Sequence, residues 1–167
     1  MENLFVFFAT TLVLRARTTK FKRYLILPGC SALLNSASKK LQIRCTRDGD
    51  RLYFNEHVEG GITYGMICID MNDQYTLHQA EDIMMQYVRR VCKPLKIKSN
   101  VFMETEAEEG LVQLTDYWQD ADGIDWKIKA HTNGKIIALL YVRNITETTV
   151  KNHDAYLNGF RFSASRY

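Results

Sequence analysis

The stretch LTDYWQDADGIDWKIKAHTNGKIIALLYV, residues 114–142, decides the fold. Two turn signals divide it, Asp120-Ala121-Asp122-Gly123 and Asn133-Gly134, and the segments they separate have the apolar patterning of strands. The pattern predicts a three-stranded antiparallel meander whose register follows from its turns. Taking Asn133-Gly134 as a two-residue turn sets Ala130 opposite Ile137, Ile128 opposite Leu139 and Trp126 opposite Tyr141. Taking the earlier turn as a four-residue loop sets Tyr117 opposite Trp126, Thr115 opposite Ile128 and Asp116 opposite Lys127. One face then carries Tyr117, Trp126 and Tyr141 in a row above Ile128, Leu139 and Ile137, which makes it a core face. The reverse face is mixed. Asp125, Lys127, Lys129 and His131 lie on the middle strand, but Ile136, Ala138, Leu140 and Val142 on the third strand also require a cover. Thr148 to Asn158, closed by Gly159, reads as a short helix able to supply it, followed by Phe160-Arg161-Phe162.

Upstream, Thr76 to Lys93 is the clearest helix. Thr76 and Gln79 form a capping box, and Leu77, Ala80, Ile83, Met84, Tyr87, Val88 and Val91 recur on one stripe before Pro94 stops the element. Ile62 to Asp70 is apolar on both faces, the mark of a central strand covered on both sides. Leu41, Ile43 and Cys45 alternate with polar residues as in a half-buried strand, and Asp48-Gly49 turns the chain into Leu52-Tyr53-Phe54. Tyr24 to Leu27 reads as a first strand ending at Pro28-Gly29, while Ser31 to Ser38 is ambiguous, with one or two helical turns as a reading. The chain of 167 residues is 46% hydrophobic, 25% charged and holds only two prolines, which excludes disordered and collagen-like classes and favours one domain over residues 17–167.

Residues 1–16 stand apart as a candidate leader. Leu4 to Leu14 is an apolar run too short to span a bilayer but matched to the core of a secretory signal, with Ala16 before a cleavage point. This places the protein as secreted or periplasmic. Glu2, where a cation is usual, favours the alternative, a strand or short helix of the fold in a cytoplasmic protein. No later segment has the length and apolarity of a membrane span. Cys30, Cys45, Cys68 and Cys92 lack the close pairing of zinc sites and read as buried thiols; an oxidising compartment would allow disulfides, with three full pairings open.

A net charge of +3, dispersed along the chain, gives no reason to expect nucleic acid as a partner. Catalytic signatures fail on their own requirements: Gly29-Cys30-Ser31-Ala32-Leu33 lacks the closing glycine of a nucleophile elbow, and no phosphate loop or His-Glu-x-x-His pattern occurs. Asp120-Ala121-Asp122-Gly123 imitates part of a calcium loop, but Trp118 and Lys129 occupy ligand positions. His57, His78, His131 and His153 are scattered and read as surface histidines. No catalytic, cofactor or metal site is therefore expected.

The order of elements from residue 21 to 163, ending in Leu157-Asn158-Gly159-Phe160-Arg161-Phe162, resembles the α/β/α sandwich of PsbP-like and DcrB-like proteins. Tyr64-Gly65-Met66-Ile67-Cys68 and Asp116-Tyr117-Trp118-Gln119-Asp120 are also similar to uncharacterised bacterial envelope proteins of that kind. The resemblance implies an α+β fold, an antiparallel sheet flanked by helices, and an accessory or assembly role. The expected function is a non-enzymatic accessory or binding module of the cell envelope, holding a protein partner or small ligand. The alternatives are a hydrolase-type enzyme with a site assembled from distant residues, and an intracellular scaffold or assembly subunit. For a partner, the candidate surface is Trp118 with Asp120, Asp122 and Asp125: a partly exposed indole beside carboxylates makes an interface anchor, the favoured alternative being that the N-terminal segment or the C-terminal helix packs over Trp118.

Overall fold

The computed structural model describes residues 21–36, 40–93, 96–97, 99–108, 110–145 and 150–163. The expected leader, residues 1–16, and the expected helix start at Thr148 lie outside them. Two antiparallel sheets organise the chain. The smaller has the order β1 (Phe21–Leu27), β2 (Cys30–Asn35), β10 (Arg161–Phe162). The larger has the order β3 (Gln42–Cys45), β4 (Arg51–Glu59), β5 (Ile62–Asp70), β9 (Ile136–Arg143), β8 (Asp125–Thr132), β7 (Leu111–Gln119), β6 (Ser99–Glu108). Helix α1 (Leu77–Cys92) follows β5, and α2 (Val150–Leu157) follows β9.

This corrects the expected α/β/α sandwich. The protein is mostly β, and its large sheet carries a long helix on one face only. The small sheet covers the other face, with α2 beside it. The physical reason lies in Ser31 to Ser38. Cys30, Ala32 and Leu34 are buried while Ser31 and Leu33 are half-buried, so the segment has a strand's period of two and pairs with β1 across Pro28-Gly29. A second sheet therefore stands where a helix was expected. Among the described residues, no helix is long and apolar enough to cross a membrane.

Other elements follow their sequence signals. Thr76 caps α1: its hydroxyl accepts from Gln79 N (3.4 Å), and Gln79 Oε1 accepts from Thr76 N (3.1 Å). Ala80, Met84, Tyr87 and Val88 pack on one face of the large sheet, against Ile69, Leu114, Trp118, Ile128 and Leu139. Strand β5 is central, with Tyr64, Met66 and Cys68 turned to the small sheet and Ile67 and Ile69 to α1. Strand β3 departs from expectation: it is the sheet edge and all four of its residues are exposed, Cys45 included.

The meander forms, with two shifts of register. Between β8 and β9, Asn133 N donates to Ile136 O and Asn133 Oδ1 accepts from the amides of Lys135 and Ile136. The two-residue loop is thus Gly134-Lys135, with Gly134 at φ +91°, a conformation that favours glycine. Ala130 faces Leu139 and Ile128 faces Tyr141, two residues from the expected partners, so every side chain keeps its face. Between β7 and β8 the slip is one residue. Asp120 Oδ1 accepts from the amides of Asp122 and Ile124, holding a longer loop, and Trp118 faces Trp126 while Tyr117 faces Lys127. A one-residue slip exchanges faces, so Trp118 replaces Tyr117 in the core row. Tyr141 reaches its place by lying across Gly65, where a Cβ would stand 1.9 Å from the ring carbon Cζ.

Candidate functional site

The residues expected to form a partner surface gather at one end of the meander, but the structure uses them otherwise. Trp118 is only 1% exposed, and its indole N–H donates to Asp116 Oδ2 inside the core beneath α1. The interface anchor inferred from sequence is therefore a core residue, a consequence of the one-residue slip. Asp120 is also buried, accepting at Oδ2 from Trp126 Nε1 (3.0 Å) and from Arg143 (3.1 Å). Burial pushes its pKa up, but these bonds and those of the Ile124 and Asp122 amides outweigh it and hold the carboxyl at about 2. Asp122 and Asp125 are exposed, and Asp125 Oδ1 accepts from Gln119 (3.2 Å).

A more distinctive arrangement lies on the opposite face of β8. Alternate residues Lys127, Lys129 and His131 point to that side, and α2 and the turn after it meet each in succession. Lys127 Nζ pairs with Asp154 Oδ1 (2.8 Å) and Lys129 Nζ donates to Asn158 Oδ1 (2.7 Å). His131 stacks on Phe160, ring centroids 5.5 Å apart and planes 25° from parallel. Beyond His131 opens a cleft of about 390 Å³ between the meander and the chain that leaves α2. Leu111, Phe160 and Phe162 form apolar walls; Gln113, Lys129 and Arg161 carry its polar groups. No carboxylate is among its described lining residues, and Arg161 acts electrostatically on nearby Arg23, so the local field is positive.

His131 is the buried polar group of this cleft, 6% exposed, and its Nε2 has no hydrogen-bond partner. Burial, and secondarily the charge of Lys129, push its pKa down to about 4, against a backbone hydrogen bond to Leu157 that raises it. At neutral pH the ring is uncharged. Nε2 is the ring nitrogen without a partner, and a proton on Nδ1, toward the Leu157 backbone, would leave its lone pair free. Elsewhere a depression of about 520 Å³ at the β3 edge is lined by Lys40, Arg44, Phe54, Glu56 and Tyr141. There Tyr141 already donates to Glu56 (2.6 Å) and Arg44 lies over Phe54, 5.6 Å from its centroid. No group of three His, Cys, Asp or Glu side chains among the described residues is placed to hold a metal ion.

By sequence His131 reads as a surface histidine, whereas the structure buries it. The missed signal was positional: it ends a row of alternate residues on a face that needed a cover, and an aromatic follows directly on the glycine closing that cover. No protein-family model matches the chain, and no curated protein matches it.

Proposed function

We propose that the chain is a non-enzymatic binding module whose ligand is a small anion, such as a carboxylate, that also carries a hydroxyl or N–H donor. The observation that carries this reading is a cleft whose charged groups are both cations and whose wall includes His131, a ring with a buried, unpartnered Nε2. A buried acceptor left unsatisfied costs about 1–3 kcal/mol, a cost that a ligand donor removes. Lys129 and Arg161 supply the charge complement, and Leu111, Phe160 and Phe162 accept a ring or short apolar body. The cell envelope is the setting we propose with it, supported by the apolar run Leu4 to Leu14.

The test is a titration of the full chain with 4-hydroxybenzoate, benzoate and 4-hydroxybenzamide, followed by backbone amide NMR shifts. 4-Hydroxybenzoate, which has both charge and donor, binds tightest, and losing either weakens binding about tenfold or more. The shifts centre on Gln113, Lys129 and Phe162. Equal responses to all three compounds, or shifts that map to the β3 edge, would overturn the reading.

A further inference from the structure

The interface between the two sheets brings together two thiols that the sequence leaves unpaired. Cys30 opens β2 directly after the Pro28-Gly29 turn, and Cys68 lies on central β5. Both are fully buried, and their Sγ atoms are 3.7 Å apart. Cys30 stands opposite Phe162 within the small sheet; Cys68 stands opposite Tyr53 and Ala138 within the large one. Cys45 is exposed on the edge strand, and Cys92 ends α1 on the other side of the large sheet. Of the pairings open to four cysteines, the fold favours this one.

We propose that Cys30 and Cys68 form a disulfide that staples the small sheet to the large sheet. Closing it brings the sulfurs from 3.7 Å to about 2.05 Å, an approach of the order that χ1 rotation and a slight shift of the layers provide. The oxidant is a disulfide, either of a thiol oxidoreductase or a small molecule such as oxidised glutathione. The Cys30 thiolate attacks one sulfur of the oxidant, expelling the other as a thiolate; the Cys68 thiolate then attacks the Cys30 sulfur of the mixed disulfide and expels the second. The pair gives up two protons and two electrons, and the oxidant leaves as two thiols. Because both sulfurs are buried, exchange takes place before the layers close, and the finished bond is shielded from reductant.

The test refolds the full chain in a reduced and oxidised glutathione buffer, with Cys45→Ser and Cys92→Ser introduced so that only the pair remains. Peptide mapping under non-reducing conditions finds the peptides of Cys30 and Cys68 joined, and the intact mass falls by two hydrogens. Protein refolded under reductant melts about 10 °C lower, the shift expected for closing a loop of this span in a domain of this size. The same mapping on the unsubstituted chain gives the same linkage and serves if the double variant does not fold. Free thiols at both positions, or glutathione on either one, would overturn the proposed bond; a linked pair whose reduction leaves the melting temperature unchanged would overturn its role as a staple.

Discussion

The two faces of the large sheet differ in one respect: the buried side-chain groups without a partner among the described residues all lie on one of them. Toward α1, aromatic donors end on carboxylates: Trp118 on Asp116, Trp126 on Asp120, and Tyr87 on Asp50 at 2.6 Å. Tyr141, on the same face, ends on Glu56. Toward the small sheet and α2, Nε2 of His131, both ring nitrogens of His153 and the hydroxyl of Tyr156 are buried without a partner among the described residues. Satisfied polar pairs rigidify a core, whereas an orphaned buried group costs stability and calls for another explanation. Of these groups, His131 lines the cleft described above, and the proposed binding role rests on that placement.

The comparison breaks first at the tryptophans. Trp118→Ala and Trp126→Ala should each cost about 3–5 kcal/mol in urea unfolding, since each deletes a buried ring together with its hydrogen bond to a carboxylate. A loss below about 0.5 kcal/mol for Trp118→Ala would restore it to the surface and undo the one-residue slip.

The next effect is a pH dependence. His131 has a folded pKa of about 4, below the unfolded value of about 6.5, so the unfolded chain binds the proton first. Its contribution is fully present above about pH 6.5 and is lost as pH falls toward 4, by about 3 kcal/mol in all. His131→Gln removes that slope, measured as the urea midpoint from pH 7 to 4. His153, also shifted down by burial, keeps a residual slope of the same sign. An identical pH profile in His131→Gln would show that the ring is not buried neutral.

How legible was this molecule in its sequence? Helix α1 was legible because capping and periodicity agree, and β5 because it is apolar on both faces. The β8–β9 face assignment survived an error in the turn, since the partners moved by two residues. The β7–β8 faces did not survive theirs: the length of the Asp120 loop depends on where one carboxylate turns, which no periodicity reports. Strand β2 was obscured by its short length and serines, although its burial alternates. The expected site failed with the β7 register, and the cleft was illegible because its walls come from β7, β8 and the chain after α2.

The most direct test of the account is the ¹⁵N resonance pair of the His131 ring at pH 7, recorded with and without 4-hydroxybenzoate. The account predicts a neutral imidazole protonated at Nδ1, whose Nε2 resonance shifts upfield as it accepts the ligand's hydrogen bond while Nδ1 stays protonated. A ring already charged at pH 7, one protonated at Nε2, or one unmoved by saturating ligand would contradict it.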